Sequence, residues 1–412
     1  MSRQSKWWRA ALMLLATGIL ATVVAACGDD DSGDNGGDNG ETVDVPEFVP
    51  DHNADFFDEE EMNTQLELRD VEPEDFGAGE NPWETALEPE LVDTSEYAKD
   101  GPYNICFSNA SVDNPWRVVG WETMQAQVEA YEEEGVIGNF RALDAEASDD
   151  KQISDIENLS SGGSCDALII SPNTTLTLTP AVEQACESGI PIIVFDRGVD
   201  TDCPVTFIKP IGGYAFGADA AEFLVENVEP GGKILALRIL PGVDVLETRW
   251  SAAQEVFADA ELEIVGDEQT EGDAANTKQI ISDYLAREGE LDGVWMDAGA
   301  TSVAAAEAFE DAGMEVPAIT GEDQLDFLQK WDSDGLTGIA PTYPTYQWRT
   351  PIIAAVRILQ GEEVPGPEWN LAQPAITQDD LGDYIAENEG LPPLHYALCG
   401  CEDLPGYPER FE

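Results

Sequence analysis

From residue 103 onward the chain alternates short apolar runs with longer amphipathic stretches. The apolar runs do not alternate with polar residues at every second position; examples are CDALIISP (165–172) and IPIIVFDR (190–197). Runs of this kind indicate strands that are buried on both faces of a parallel sheet. The stretches between them, such as WRVVGWETMQAQVEAYEEEG (116–135), space their apolar residues as a helix does and end at a glycine. Strands that alternate with helices predict βαβ units and parallel sheets.

Two such series follow one another, separated by the break Pro210-Ile211-Gly212-Gly213. Their comparable lengths predict two similar α/β lobes, with a cleft between them lined by the turns that follow the strands. One buried strand ends in the opposite charges of Asp196 and Arg197. The pair is either an incidental ion pair in a surface turn or part of a ligand site, because open α/β sheets bind ligands beyond the carboxyl ends of their strands.

The first 27 residues have a basic head, an apolar stretch over 10–26 and then Cys27. This arrangement is typical of a secretory signal peptide. Its end, VAAC (24–27), resembles a bacterial lipobox, in which the cysteine is lipidated and becomes the first residue of the mature protein. We therefore expect export and anchoring through Cys27 to the outer face of the cell membrane, in the periplasm or cell envelope. An ordinary signal peptide followed by a chance cysteine is the alternative.

Residues 28–100 have a different composition from the remainder. The stretch 28–40 consists of Gly, Asp, Asn and Ser without an apolar residue, so it cannot form a core. Residues 41–100 are acidic and punctuated by proline, with a few apolar clusters such as Phe56-Phe57. We expect 28–100 to be an acidic and largely disordered linker, of which a part could pack on the surface of the lobes.

The protein contains 84 Asp and Glu residues against 19 Lys and Arg residues, which gives a formal net charge of −65. Such a surface argues against nucleic acid and anionic lipid as partners, because both are negatively charged. The excess of acid is spread along the chain and therefore indicates a solvation property. Adaptation to a saline environment, where salt screens self-repulsion, and an acidic secreted proteome are both open explanations.

The cysteines other than Cys27 are even in number, which favours disulfides in an oxidising compartment. They are Cys106, Cys165, Cys186, Cys203, Cys399 and Cys401. Cys165 precedes a predicted strand and Cys186 lies on the helix that follows it, so we expect these two to pair. No Cys/Cys or Cys/His spacing is typical of a metal site, and His52 and His395 are the two histidines of the chain. We therefore predict neither a metal site nor a cofactor.

The sequence lacks the common motifs of catalysis. The sequence contains no GxSxG nucleophile elbow, no P-loop, and too few histidines for a Ser/His/Asp arrangement. The triplet GGK at 231–233 precedes a strand and not a helix, which indicates a turn. The sequence therefore predicts a binding protein and not an enzyme.

Residues 103–378 resemble the periplasmic sugar-binding proteins of ABC importers, of the ribose-binding type. Eight stretches carry the resemblance in order along the chain, among them SNASVDNPWRVVGWETM (108–124), VEQACESGIPIIVFDR (182–197), ITGEDQLDFLQKW (319–331) and GLTGIAPTYPTYQ (335–347). The resemblance implies the type I periplasmic binding fold, in which two Rossmann-like lobes with parallel sheets are joined by a three-segment hinge. It places an N-terminal lobe at 103–210 plus 343–372, a C-terminal lobe at 211–342 plus 373–412, and the hinge crossings near 209–213, 341–345 and 371–375.

The same resemblance implies a set of ligand-binding residues in the first lobe. Asp196 and Arg197 match the Asp-Arg pair with which the family grips sugar hydroxyls, and this favours the ligand-site interpretation of that strand end. Asn114 matches a hydroxyl partner in the loop after the first strand, and Trp116 matches an aromatic platform for the sugar ring. The position after Trp116 is Arg117 and not a second aromatic residue, which disfavours ribose and favours a larger or more hydroxylated sugar.

The remaining site residues belong to the second lobe and the hinge. Arg249 matches a hydroxyl donor, Asp297 and Asp323 match acceptors at strand ends, and Thr342 and Tyr343 fall at a hinge crossing where relatives use a polar side chain. The family often has an aromatic residue near TEGDAAN (270–276), and this sequence has none there. One wall of the pocket therefore lacks the aromatic residue that the family pattern would supply.

These features predict a lipid-anchored, monomeric solute-binding protein. It would capture a monosaccharide or polyol between two closing lobes and deliver it to an ABC permease and its ATPase. The alternative is a sensor of the same fold that passes the ligand signal to a membrane receptor. The absence of a basic DNA-binding head and the presence of an export signal exclude a sugar-responsive repressor.

Overall fold

The computed structural model describes residues 46–411. The predicted signal peptide 1–27, its Cys27 and the spacer 28–40 lie outside the described residues. Within the described part no helix combines the length and the apolar character needed to cross a bilayer.

Strands and helices alternate over most of the described chain. The strands are β1 (Leu91–Val92), β2 (Tyr103–Asn109), β3 (Ile137–Asp144), β4 (Ala167–Ser171), β5 (Ile192–Phe195), β6 (Thr206–Pro210), β7 (Lys233–Arg238), β8 (Glu263–Gln269), β9 (Gly293–Met296), β10 (Ala318–Thr320), β11 (Gly338–Pro341), β12 (Val364–Pro365), β13 (Glu368–Leu371) and β14 (Ala375–Ile376). The helices are α1 (Glu59–Leu68), α2 (Pro115–Glu133), α3 (Asp149–Ser161), α4 (Thr175–Cys186), α5 (Gly213–Asn227), α6 (Asp244–Ala258), α7 (Ala274–Glu288), α8 (Ser302–Asp311), α9 (Leu325–Asp334), α10 (Thr350–Gln360) and α11 (Leu381–Glu387).

Two six-stranded sheets form the centres of two lobes. The first has the order β13-β6-β5-β4-β2-β3, and all of its strand pairs are parallel. The second has the order β14-β11-β10-β9-β7-β8, and β14 is the one strand that pairs antiparallel to its neighbour. The strands β4 and β5 are buried over their whole length, because helices cover both faces of the sheet. The prediction of two α/β lobes with parallel sheets is confirmed.

The chain passes from one sheet to the other at three places. It leaves β6 at Pro210 and enters α5 at Gly213, leaves β11 at Pro341 for the first lobe, and leaves β13 at Leu371 for β14 at Ala375. These passages coincide with the three hinge crossings expected from the sequence. The carboxyl ends of both sets of parallel strands thereby face the gap between the lobes.

The expectation of a largely disordered linker over 28–100 is wrong for its described part, 46–100. Residues 46–72 lie on the second lobe, where the hydroxyl of Tyr214 in α5 accepts a hydrogen bond from Asp58 N (2.7 Å). Residues 74–98 lie on the first lobe, where Trp369 Nε1 donates to Thr85 O (2.8 Å) and β1 pairs antiparallel with β12. We call 46–100 the N-terminal extension. Met62, Leu68, Trp83 and Leu87 of the extension are buried because the folded lobes supply the surface on which they pack.

The end of the chain also departs from the expected lobe boundaries. Residues 393–398 pack on the second lobe, as predicted for 373–412, and Ala397 N donates to Asp323 O (2.8 Å). The last residues instead contact the first lobe: Arg410 forms an ion pair with Glu122 of α2 (2.8 Å), and the ion pair of Arg349 with Asp403 (2.6 Å) joins α10 to the tail. The tail after residue 398 therefore belongs structurally to the N-terminal lobe.

The expected pair Cys165–Cys186 is wrong. Cys106 on β2 bonds to Cys165, which precedes the neighbouring strand β4 (Cα–Cα distance 5.6 Å), and Cys186 bonds to Cys203 (6.1 Å). A third disulfide joins Cys399 to Cys401. The Cys106–Cys165 disulfide forms because β2 and β4 are neighbours in the sheet. The order of residues along the sequence does not show which strands are neighbours.

The two disulfides of the first lobe are expected to stabilise it unequally. Chain-entropy arguments give about 4 kcal/mol for a loop closed over a sequence separation of 59 and about 3 kcal/mol for one of 17. Replacing Cys106 and Cys165 by alanine should therefore lower the free energy of unfolding more than replacing Cys186 and Cys203, as measured by urea denaturation. Peptide mapping of the non-reduced protein checks the pairing itself. A larger loss from the short loop would contradict the entropic argument.

Candidate ligand-binding site

A cavity of about 100 Å³ lies between the two lobes, at the carboxyl ends of the strands. The first lobe and the hinge contribute residues that the sequence predicted: Asn114, Trp116, Arg117, Asp196, Arg197 and Tyr343. The second lobe contributes the predicted Arg249 together with Ile239, Leu240, Val243, Val245, Leu246, Ala298, Ala300, Glu322 and Tyr396.

Asp196 is the centre of the polar wall on the first lobe. Its Oδ2 lies 2.6 Å from Arg117 Nη2, and both side chains are at most 4% exposed. The hydroxyl of Tyr343, from the hinge, donates to the backbone oxygen of Asp196 (3.0 Å). Asp196 has φ = 71°, a left-handed conformation that is uncommon outside glycine. Such conformations cluster at ligand sites, where the surrounding contacts enforce them.

Arg197 is the cation of this wall that has the fewest protein partners. Its Nη1 donates to Asn173 O (2.6 Å), and within residues 46–411 no carboxylate forms an ion pair with it. Burial and the nearby charge of Arg117 lower the pKa of Arg197 to about 10, so it stays protonated at neutral pH. Its remaining N–H groups are therefore available to an acceptor on a ligand.

The aromatic side of the cavity comes from the start of α2. The side chain of Asn114 caps this helix by accepting a hydrogen bond from Arg117 N (3.0 Å), and Pro115 at the first helical position favours the same start. The cap leaves the Asn114 amide group at the cavity wall. Trp116 Nε1 donates to Tyr343 O (2.7 Å), which fixes the indole ring against the hinge. The ring lines the cavity and also packs in the hydrophobic core.

On the second lobe Arg249 is held on both of its faces. Its guanidinium lies 3.7 Å from the ring centroid of Phe216 and 4.7 Å from that of Tyr343. Its Nη1 forms an ion pair with Glu322 Oε1 (3.0 Å). Stacking on the rings and the ion pair hold the guanidinium in place. Its burial costs little free energy because a guanidinium is more weakly hydrated than an ammonium group.

The two lobes touch directly at one edge of the cavity. Gly198, two residues after Asp196, donates its backbone N–H to Asp244 Oδ2 at the start of α6 (2.6 Å). A Cβ atom at position 198 would lie 2.7 Å from that oxygen, so the approach requires glycine. Burial raises the pKa of Asp244, and the hydrogen bond from Gly198 opposes that rise. The described arrangement is a closed one.

Three predicted site residues do not line the cavity. Asp297 accepts from Ile239 N (2.9 and 3.1 Å), and Thr342 Oγ1 donates to Pro374 O (2.6 Å). Asp323 accepts from Tyr343 N (3.2 Å) and Leu398 N (3.0 Å). All three are fully buried and hold the backbone of loops that do reach the cavity. Backbone N–H groups occupy the carboxylate oxygens of Asp297 and Asp323, and the Thr342 hydroxyl donates to a backbone carbonyl. All three are therefore positioning residues in this structure.

Glu322 was missed although it lies next to Asp323 in the same strand-end motif. Successive side chains at the end of a strand point to opposite sides, so an error of one residue exchanges a cavity residue for a buried one. Tyr396 was missed because the tail that carries it returns to the cleft from far along the chain. Its hydroxyl donates to Gln324 Oε1 (3.1 Å).

The buried carboxyl groups of Asp297 and Asp323 are expected to make stability depend on pH. Burial raises the pKa of each to about 7, whereas in the unfolded chain it is near ~4. Between these values the folded protein holds protons that the unfolded chain has lost, so the free energy of unfolding falls as pH rises from about 4 to about 7. We expect the protein to be more stable at pH 5 than at pH 8 in urea denaturation.

In the variant Asp323→Asn the side chain at position 323 is neutral at both pH values. The free energy of unfolding of this variant should therefore differ less between pH 5 and pH 8. Asp332→Asn, at an exposed position of α9, is the matched control and should keep the difference found in the unmodified protein. If Asp323→Asn also keeps the full difference, the Asp323 carboxyl is not its source.

One cluster has the composition of a metal site. The ligand atoms of His395, Cys399 and Cys401 lie within 4.8 Å of one another and are buried. The two sulfur atoms are joined in a disulfide, which has no thiolate to offer a metal. Burial lowers the pKa of His395 to about 4, so the imidazole is neutral at physiological pH. The cluster as it stands is a structural feature of the tail.

Comparison with known proteins gives consistent matches. A family model described as periplasmic binding protein domain matches residues 105–363. The ribose import binding protein of Bacillus subtilis (strain 168) is 25% identical over 222 residues, which cover 54% of this chain and 72% of the relative. An ABC transporter solute binding protein from Thermobispora bispora has a similar structure, with a TM-score of 0.65 and 21% identity over 71% of this chain and 90% of that one. A solute binding protein from Bacillus halodurans, solved with bound myo-inositol, has a TM-score of 0.64 and 20% identity over 70% and 99% of the two chains.

Proposed function

Since the chain belongs to the periplasmic binding protein family, whose members bind solutes and are not enzymes, we propose that it captures a monosaccharide or polyol between its lobes and delivers it to an ABC permease. The family match covers most strands and helices of both lobes and the first two hinge crossings, and it ends before β13 and the third crossing. The myo-inositol bound to a structural neighbour and the ribose import function of a sequence relative support a polyhydroxylated ligand.

The observation that carries the proposal is the wall formed by Asp196, Arg117 and Arg197. A sugar hydroxyl donates one hydrogen bond and accepts others, so it needs an acceptor and a donor at close range. The Asp196 carboxylate is an acceptor, and the free N–H groups of Arg197 are donors. Hydrogen bonds to charged groups are roughly twice as strong as neutral ones, and the ion pair with Arg117 offsets the cost of burying the carboxylate.

Trp116, on the same lobe, supports the same ligand class. The C–H faces of a sugar ring are apolar and stack on aromatic rings, and Trp116 presents its indole to the cavity beside the polar wall. A ligand that contacts both lobes would shift the protein toward the closed arrangement. The size of that shift is set by how much more tightly the ligand binds the closed arrangement than the open one. We further propose that the mature protein is a monomer anchored to the cell surface through a lipid on Cys27.

A thermal-shift screen of the full chain against pentoses, hexoses and polyols tests the ligand class, at low and high salt because of the acidic surface. A ligand at a hundred times its Kd stabilises the native state by about 2.7 kcal/mol, which raises the Tm by a few degrees. Arg197→Gln should remove the shift. Arg287→Gln, whose side chain is 55% exposed on the second lobe, is the matched control and should retain it. A folded protein whose Tm no sugar or polyol changes would overturn the proposal.

A further inference from the structure

The two walls of the cavity differ in chemistry. The first lobe presents Asn114, Arg117, Asp196 and Arg197, which are all hydrogen-bonding side chains. The second lobe presents an aliphatic surface from the loop after β7 and the first turn of α6. We call Leu240, Val243 and Leu246 the aliphatic wall. A ligand between the lobes therefore meets the hydrogen-bonding groups of the first lobe on one side and, over this part of the second lobe, only aliphatic side chains.

The polar side chains of the second lobe that line the cavity, Arg249, Glu322 and Tyr396, are each bonded to the protein through at least one atom. Arg249 is paired with Glu322 and also donates to Asp297 O, and the Tyr396 hydroxyl donates to Gln324. Among the buried groups of the described chain, Arg249 Nε is the N–H on this side of the cavity without a partner. A ligand hydroxyl directed at the side chains of Leu240, Val243 and Leu246 themselves would lose its water and meet no donor or acceptor there, which costs free energy.

Leu240 adds an independent observation. It is 39% exposed and is one of the few large apolar side chains on the surface of a strongly acidic protein. Its neighbours in the wall are almost fully buried, so Leu240 is the part of the wall left open. An alkyl group of a ligand would cover it and gain the free energy of removing apolar area from water.

We propose that the ligand is a 6-deoxyhexose, and that the aliphatic wall selects it. The methyl group of such a sugar projects from one edge of the ring toward Leu240, Val243 and Leu246, while the ring hydroxyls face Asp196 and Arg197. This inference rests on the proposed function and narrows it.

Isothermal titration of the full chain with matched sugar pairs tests the inference. Each pair differs by one hydroxyl: D-fucose with D-galactose, L-fucose with L-galactose, and L-rhamnose with L-mannose. Pockets that discriminate between two ligands differing by one small group bind the preferred ligand about ten- to a hundredfold more tightly. We expect at least one 6-deoxy sugar to bind about tenfold or more tightly than its hydroxylated partner.

The variant Leu240→Asn supplies a hydrogen-bonding group at the wall and should reduce that ratio toward one. Leu394→Asn, at a 53% exposed leucine that does not line the cavity, should leave the ratio unchanged. Equal or tighter binding of the hydroxylated partner in every pair overturns this inference and leaves sugar binding intact. Absence of binding by all the sugars, in a folded protein, overturns it together with the proposed function.

Discussion

Asp196→Asn is expected to weaken ligand binding by about a hundredfold or more. The substitution keeps the shape of the side chain, and asparagine tolerates the left-handed backbone at φ = 71° better than alanine would. It replaces a charged acceptor by a neutral amide. The guanidinium of Arg117 is 2% exposed, and without the carboxylate its nearest partner is Ser171 Oγ at 3.3 Å. The ligand loses its strongest acceptor, and Arg117 is no longer fixed.

The same change should also lower the free energy of unfolding. Removing one member of a buried ion pair typically costs about 3–5 kcal/mol, because the other charge stays buried without compensation. Urea denaturation separates this loss from the binding defect, which isothermal titration measures on folded protein. Asp200→Asn, in the same loop but exposed, is the matched control and should change the Kd by less than about twofold.

Tyr343→Phe provides a second variant if Asp196→Asn does not fold. It removes the hydroxyl that donates to the Asp196 backbone oxygen and lies 3.3 Å from Asp196 Oδ1, and it keeps the ring that stacks on Arg249. We expect a smaller loss of affinity, about tenfold, with little loss of stability. Unchanged affinity in both variants would remove Asp196 from the binding site.

The first-lobe site could be predicted because its residues stand at positions that the sequence marks clearly. The uninterrupted apolar run that forms β5 has an evident end, so Asp196 and Arg197 had to lie at the carboxyl end of a buried strand. The second-lobe acceptors could not be assigned in the same way. The strand β10 has three residues, and which of Glu322 and Asp323 faces the cavity depends on how the loop turns after it. Backbone N–H groups from Tyr343 and Leu398, distant in sequence, decide that Asp323 is turned inward.

The aliphatic wall was missed for a different reason. Leu240, Val243 and Leu246 lie in a loop and a first helical turn, where apolar residues usually belong to the core. Only the position of α6 relative to the first lobe shows that these side chains face a cavity. The contact of Asp244 with Gly198 fixes that position, and it joins residues of two lobes that the sequence places 46 positions apart.

The N-terminal extension shows the limit of composition as a guide to order. Its apolar residues are sparse, and α1 is one short helix with three glutamates in its first turn. An isolated segment of this kind would not bury enough surface to fold. It is ordered because Leu68 and Leu87 pack on Ile211 and Ala215 at the first hinge crossing, which exist as a surface only after the lobes have formed.

A chain that begins at residue 101 is therefore expected to be far less stable than one that begins at residue 46. The truncation removes Thr85, the acceptor for the buried Trp369 Nε1, and Glu61, one of the two carboxylates that pair with the buried Lys209 (3.0 Å). Both Trp369 on β13 and Lys209 on β6 belong to strands that lead into hinge crossings. We expect the shorter chain to unfold at a much lower urea concentration or to aggregate during purification.

Single substitutions keep this prediction testable if the short chain does not fold at all. Leu87→Ala deletes a buried side chain of the extension and should cost about 2–5 kcal/mol, as such deletions do in a core. Leu91→Ala, at a 42% exposed leucine of the same extension, should cost much less. Equal stability of Leu87→Ala and Leu91→Ala would mean that the extension contributes no core. A large difference, together with loss of stability on truncation, would show that the extension is part of the folded unit, because it covers the strands from which two of the three hinge crossings start.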